Sequence, residues 1–245
     1  MRCLSRSAER SDDGGTKEFT ASLLAELDEP VRRYLSHAIR DGAELGAGVR
    51  VMMTGQIKLG LWLPFTAQQE CDGRSFAWRA RVAFGPLTAL AVVDRFAEGA
   101  GSMDGRLFGR IELFGADDEN TTRSTAGRAA LEAVYTPASL LPQRGIAWRA
   151  ESENEIVASW DVPPERPELH LHIDDRGAVR SYHALRWGNV GQKEFGYTPC
   201  GCEVAAERRF GDFVVPSRIT GGWWFATPRY TPFFRAEIGE LAALR

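Results

Sequence analysis

The sequence predicts a mainly β protein of the α+β class, built on a large curved antiparallel sheet of about ten to twelve strands. From Val49 onward, apolar and polar residues alternate with a period of two, most clearly between Phe76 and Phe84. Glycine-containing joints such as residues 71–74 are too short for helical crossovers and therefore favour antiparallel neighbours. A sheet with this many strands must curl.

The strand-like segments are separated by turn signals along the whole chain. The strongest signal is "IDDRGAV", residues 173–179, which predicts a hairpin between two alternating segments. Residues 99–105, "GAGSMDG", are interpreted as a joint and residues 106–115 as one strand. The predicted strands are residues 49–59, 65–71, 75–84, 88–96, 106–115, 146–150, 155–162, 168–174, 178–187, 202–210, 213–225 and 232–238.

Helical periodicity occurs in two regions. Near the N-terminus, apolar residues three and four apart predict a pair of helices, with Pro30 in the first turn of the second, where a missing N–H costs little. At the midpoint, residues 127–136 predict a short helix that Pro137 ends. We expect this midpoint helix to cover the open face of the curved sheet through Ala130, Leu131, Val134, Leu140 and Leu141.

Composition limits the classes of protein that the chain can belong to. We expect a disordered polar tail over residues 1–18 and a single domain over residues 19–245. The 30 basic and 33 acidic residues give a net charge of −3 without a basic patch, so nucleic acid is not an expected partner. No apolar window reaches the roughly 18–20 residues of a transmembrane helix, and no signal-peptide core is present, so a cytoplasmic location is predicted. The oligomeric state stays open.

Cysteine and serine patterns indicate no recognised site. The pair Cys200 and Cys202 forms C-x-C without a second pair, which favours half-buried thiols over a zinc or redox motif. Ser139 lies outside any G-x-S-x-G element, so a hydrolase triad is not expected. No glycine-rich phosphate loop follows a strand, and no cofactor is predicted.

Several segments together resemble an uncharacterised bacterial family, a domain of unknown function that is frequent in actinobacteria. They are "LDEPVRRYLSHAI", "FAWRARVAF", "VVDRFAEGAG", "GRAALEAVYTPASLLPQRGIAWRA" and "WWFATPRYTPFFRAEI", and the resemblance covers roughly residues 26–240. It implies no reaction, but it implies a fold like the half-barrel of bacterial lipoprotein carriers, in which a helix closes a concave apolar sheet. Tyr135 stands where the family pattern suggests tryptophan. The matching positions are Pro30, Arg33, Tyr34, Trp78, Arg79, Ala80, Arg81, Asp94, Gly99, Arg128, Glu132, Pro137, Leu140, Leu141 and Trp148.

Two carboxylates are candidate catalytic residues, each with a purely structural alternative. Glu132 lies four residues after Arg128, so the two share a helix face and form either a surface pair or a polar site over the mouth of the sheet. Asp94 interrupts an apolar strand, and burying its carboxylate there costs free energy unless it has a hydrogen-bond or ion-pair partner. It is either a buried ion pair with Arg79 or Arg81 on the preceding strand, or a polar anchor or general base inside a cavity.

Three histidines raise the question of a metal site. His170 and His172 share one face of a strand, and His183 joins them only if the hairpin register allows it. Because the apolar residues that alternate with this pair are expected to face the core, the histidines are expected to face solvent. No metal site is predicted.

Aromatic residues favour a ligand pocket. The seven tryptophans are spread over separate strands, and a curved sheet of this size cannot be filled from one face by its own side chains. Flat aromatic walls with few polar groups suit an apolar or polycyclic molecule. The candidate ligand-binding residues are Trp62, Trp78, Arg79, Arg128, Tyr135 and Trp148.

Three functions are compatible with these patterns. The first is binding of an apolar or amphipathic small molecule, a lipid or a secondary metabolite, in the cavity of the curved sheet. The second is a cofactor-independent biosynthetic enzyme, a cyclase or isomerase, in which Asp94 or Glu132 acts as acid or base. The third is a protein-interaction or structural module that uses the tryptophan-rich residues 221–234.

Overall fold

One curved antiparallel sheet of thirteen strands dominates the computed structural model, which describes residues 18–85 and 87–244. The predicted tail lies outside these residues except for Glu18, which forms an isolated bridge with Glu44. The strands are β1 (Val49–Leu59), β2 (Leu61–Cys71), β3 (Phe76–Phe84), β4 (Leu87–Ala97), β5 (Ala100–Leu107), β6 (Ile111–Ala116), β7 (Ala147–Ala150), β8 (Glu155–Ser159), β9 (Glu168–Ile173), β10 (Val179–Gly188), β11 (Gly196–Phe210), β12 (Phe213–Trp223) and β13 (Thr231–Ala243).

The sheet is an open half-barrel because its chain path leaves two unpaired edges. The strand order is β6-β5-β4-β3-β2-β1-β13-β12-β11-β10-β9-β8-β7. The chain therefore starts at the centre of the sheet, runs outward to β6, crosses to β7 at the opposite edge and returns to pair β13 with β1. The crossing segment must span the sheet from edge to edge, which explains why helical structure lies at the midpoint of the sequence.

The predicted number of ten to twelve strands was too low, because residues 106–115, predicted as one strand, contain the turn of a hairpin. Phe108 and Gly109 have positive φ angles of 51° and 69°, and they turn the chain between β5 and β6 within residues 106–115. The preceding residues 99–105, predicted to be a joint, mostly belong to β5. Their small side chains conceal the strand pattern, but they allow a helix to approach closely.

Two helices and a series of 3₁₀ turns cover the sheet. The predicted N-terminal pair is confirmed as a 3₁₀ turn, Ala21–Leu24, followed by α1, Glu29–Ala38, which packs against β7, β8 and β12. The midpoint helix α2, Glu119–Glu132, begins eight residues before the predicted start. Asp118 caps it by accepting a hydrogen bond from the Thr121 backbone N–H. Three further 3₁₀ turns, Ala133–Tyr135, Pro137–Leu140 and Pro142–Arg144, lead to β7.

The core lies between the concave face of the sheet and these helices. In β3, Phe76, Trp78, Ala80 and Val82 are buried, while the alternate arginines are exposed on the convex face. Each fully buried large apolar side chain contributes roughly 1.5–3 kcal/mol. The helix α2 contacts β4 and β5 on one side and β9 and β10 on the other, so it bridges the two halves of the sheet. Neither helix in the described part of the chain has the length and apolar character needed to cross a membrane.

Gly101 allows α2 to lie directly on β5, and its substitution tests this packing. A methyl group at Gly101 would overlap Thr125 Oγ1 and lie 2.9 Å from Thr122 Cα. We expect Gly101→Ala to lower the free energy of unfolding by about 1–3 kcal/mol, measured by urea denaturation. Gly196→Ala is the matched control because a Cβ there meets no atom within 4 Å. Equal losses in the two variants would contradict the close packing of α2.

Candidate functional site: a buried charge cluster in an apolar cavity

A cavity of about 420 Å³ lies between α2 and the concave face of the sheet. This volume falls within the range of small-molecule pockets. The cavity reaches the surface, since its lining residues Leu59, Phe114 and Phe195 are 49%, 41% and 42% exposed. Its wall is predominantly apolar and includes Met53, Val82, Val92, Leu131, Trp223 and Phe234.

A cluster of three charged side chains lines this cavity. Arg128 on α2 donates from Nη1 to Asp94 Oδ2 at 2.5 Å and from Nε to Glu132 Oε1 at 2.8 Å. The three side chains are only 16%, 3% and 14% exposed, respectively. Burial lowers the pKa of Arg128, but the two carboxylates raise it, and the net shift is upward. The guanidinium also lies 5.2 Å from the centre of the Trp78 ring.

The sheet register places three polar side chains in a row beneath this cluster. Gln69 on β2 is paired with Trp78 on β3, which in turn is paired with Asp94 on β4. Gln69 Nε2 donates to Glu132 Oε2 at 2.8 Å, so the row is joined to α2 at both ends. Three buried atoms of the row, Gln69 Oε1, Trp78 Nε1 and Asp94 Oδ1, have no hydrogen-bond partner among the described residues.

The structure brings five of the candidate residues together and leaves three apart. Asp94, Glu132, Trp78, Arg128 and Tyr135 line the cavity. Three others do not. Arg79 is exposed on the convex face, Trp62 lies under the Arg235 guanidinium, and Trp148 packs against Tyr34.

The ion-pair alternative for Asp94 named the wrong partner. Asp94 is paired in register with Trp78 and shares its concave face, whereas Arg79 and Arg81 point to the opposite face. The partner is Arg128, which lies 34 residues farther along the chain. The prediction that Asp94 forms a buried ion pair is correct, since Asp94 is 2% exposed.

Several lining residues were not identified from the sequence. Gln69, Tyr182 and Arg186 carry no motif that distinguishes them. Cys200 and Cys202 do have a signal, because the C-x-C spacing places both thiols on one face of β11, and that face lines the cavity. Burial raises the pKa of both thiols, which keeps them protonated and uncharged.

The histidines lie away from the cavity, on the outer face of the sheet. His170 and His183 are paired across β9 and β10, and their rings stack with centroids 4.8 Å apart. His172 is paired with Ser181. Within residues 18–85 and 87–244, no three His, Cys, Asp or Glu side chains are grouped as metal ligands.

Comparison with known proteins identifies a family. The sequence model of a family of unknown function, DUF6920, matches residues 25–242. The chain belongs to this family. The resemblance seen in the sequence is therefore confirmed. No curated protein matches the DUF6920 chain in sequence.

Three solved structures are similar to this chain at 7% sequence identity. A Vibrio parahaemolyticus domain described as an outer membrane lipoprotein-sorting protein has a TM-score of 0.46, covering 88% of this chain and 91% of that one. A DUF1329 family protein from Desulfovibrio piger has a TM-score of 0.45, covering 81% and 86%. A LolA superfamily protein from Nitrosomonas europaea has a TM-score of 0.44, covering 88% and 92%.

Removal of the central cation tests the charge cluster. Arg128→Met leaves two buried carboxylates without their shared partner, and we expect it to lower the free energy of unfolding by about 3–5 kcal/mol in urea denaturation. Adding Asp94→Asn to this variant should recover part of the loss, because one uncompensated charge is removed. Arg149→Met is the control, since Arg149 is 44% exposed and pairs only with exposed carboxylates. A loss no larger than that of the control would contradict the cluster.

The outer histidine pair predicts a dependence of stability on pH. Burial, followed by the effect of His170, lowers the pKa of His183 from 6.5 to about 4. As the pH falls below 6.5, the unfolded chain binds a proton before the folded chain does, so the free energy of unfolding declines toward pH 4. We expect His183→Gln to show a shallower decline when urea denaturation is measured at pH 7, 6, 5 and 4. Equal slopes in the two proteins would refute this assignment.

Proposed function

We propose that this protein binds an apolar or amphipathic small molecule, a lipid or a secondary metabolite, in the cavity beneath α2. The observation that carries the proposal is the cavity itself, with its predominantly apolar wall and the buried charge cluster of Arg128, Asp94 and Glu132. Ligand pockets commonly combine apolar walls with a few placed polar groups that orient the ligand. Trp78 and Trp223 supply flat surfaces for an apolar body, and Arg128 and Asp94 mark a polar end.

A second candidate function is acid–base catalysis in the same cavity. Asp94 favours it because one oxygen is held by Arg128, while Oδ1 has no partner among the described residues and can accept a proton or a hydrogen bond. A cofactor-independent cyclase or isomerase would use this carboxylate, with Arg128 orienting a carbonyl group. In this case Asp94→Asn should abolish turnover of a bound molecule without preventing its binding. A variant that retains turnover would remove Asp94 from catalysis.

The interaction-module alternative receives less support than ligand binding does, because the aromatic side chains at residues 223–225 are buried or half-buried. It depended on an exposed aromatic face in residues 221–234. Trp223 instead lines the cavity, Phe225 is 8% exposed, and the Trp224 ring is covered by Arg229 at 3.7 Å.

Ligand capture and a wall substitution test the binding function. We expect organic extraction and native mass spectrometry of the purified protein to detect an apolar molecule, or titration with 1-dodecanol to change tryptophan fluorescence. Leu90→Glu places a carboxylate in the cavity wall and should weaken dodecanol binding by at least about tenfold. Leu113→Glu, at a position 55% exposed, is the control and should leave it unchanged. Failure of the wild-type protein to bind any apolar molecule would refute the proposal.

A further inference from the structure

The three unpaired atoms of the row form one polar end of the cavity. Gln69, Trp78 and Asp94 are 0%, 3% and 2% exposed, so all three side chains are almost fully buried. They occupy paired positions on adjacent strands and line the same cavity. A buried polar atom without a partner costs roughly 1–3 kcal/mol, and folded proteins contain few of them. Three such atoms together on one wall therefore require an explanation.

The indole of Trp78 differs from that of Trp160, the other buried tryptophan among the described residues, and from those of the half-buried Trp148 and Trp187. Trp148 Nε1 donates to the Leu140 carbonyl at 2.8 Å, and Trp160 Nε1 donates to the Gly73 carbonyl at 2.9 Å. Trp187 Nε1 donates to Asn120 Oδ1 at 2.8 Å. The fold therefore supplies an acceptor to each of these three indoles, while the Trp78 N–H on the cavity wall has none among the described residues.

The orientation of Gln69 leaves an acceptor beside this donor. Its Nε2 group donates to a carboxylate oxygen of Glu132, which cannot donate in return while ionised. The amide oxygen Oε1 takes no part in this bond and has no partner among the described residues. Asp94 Oδ1 adds a second acceptor, because Arg128 binds only the other oxygen. The cavity wall thus offers one donor and two acceptors.

The hydrogen-bonding groups of this wall determine which ligand head groups it can bind. The cluster contains two carboxylates and one guanidinium, and Arg186 adds a second guanidinium to the cavity lining, so these four groups together carry no net formal charge. A ligand carboxylate would meet two acceptors, one of them the Asp94 carboxylate, and would have no proton to offer either. A hydroxyl group can accept from Trp78 Nε1 and donate to Asp94 Oδ1 or Gln69 Oε1.

We propose that the polar end of the cavity recognises the hydroxyl head group of a neutral amphiphile, an alcohol with an apolar body, and discriminates against fatty carboxylates. This inference rests on the proposed binding function and specifies the class of ligand. Asp94 and Gln69 accept from the hydroxyl, and Trp78 donates to it.

Three probes with the same alkyl chain test the inference. 1-Dodecanol can donate and accept, dodecyl methyl ether can only accept, and dodecanoate is an anion. Dissociation constants come from calorimetric or fluorescence titration of the full-length protein. We expect dodecanol to bind about five- to tenfold more tightly than the ether, the effect of one hydrogen bond, and at least tenfold more tightly than dodecanoate.

Matched variants test whether Trp78 and Asp94 contact the ligand hydroxyl. Trp78→Phe retains an aromatic ring but removes the N–H, and it should weaken dodecanol binding about fivefold. Trp62→Phe is the control, since Trp62 lies outside the cavity, and it should leave affinity unchanged. Asp94→Asn removes the negative charge of this acceptor and should reduce the ratio of dodecanol affinity to dodecanoate affinity.

The outcomes separate this inference from the binding function. Equal affinities of the wild-type protein for all three probes, or a preference for dodecanoate, would overturn head-group recognition while apolar binding stands. Unchanged dodecanol affinity in Trp78→Phe would also overturn it. Binding of none of the probes would refute the cavity function itself.

Discussion

The buried cluster of Arg128, Asp94 and Glu132 is the interaction that determines where α2 lies. An isolated charge in an apolar interior is strongly disfavoured, so the guanidinium must reach both carboxylates wherever the helix packs. Asp94 belongs to β4, and Glu132 is tied through Gln69 to β2, which holds the helix over that half of the sheet. The height of α2 above the sheet, and with it the cavity, depends on this cluster.

The fold was predictable wherever one face of a strand is buried and the other is exposed. Period-two alternation then appears in the sequence itself, as in β3, and it predicted eleven of the thirteen strands one for one. The pattern failed in residues 99–115, where small residues under α2 and the turn at Phe108 do not alternate. It also missed the first turns of α2, because their serines and threonines favour caps over helix interiors.

The site was only partly predictable because it depends on register between distant segments. The apolar neighbours of Asp94 indicated that this carboxylate requires a partner, and the spacing of Arg128 and Glu132 indicated a pair. In the structure Trp78, rather than Arg79, is paired with Asp94. No local sequence pattern predicts this choice. A shift of one residue would have exchanged the two side chains between faces. Gln69 has no local signal at all, since its role comes from its pairing with Trp78.

Asp94 has two roles that restrict what the cavity can hold. One carboxylate oxygen attaches α2 through Arg128, and the other has no hydrogen-bond partner among the described residues. Any ligand that binds this residue is therefore coupled to the attachment of the helix, and the coupling is reciprocal. A cationic head group would compete with Arg128 for Asp94 and weaken the hold on α2. A neutral hydroxyl donor uses only the free oxygen, so it adds a hydrogen bond while the helix remains attached.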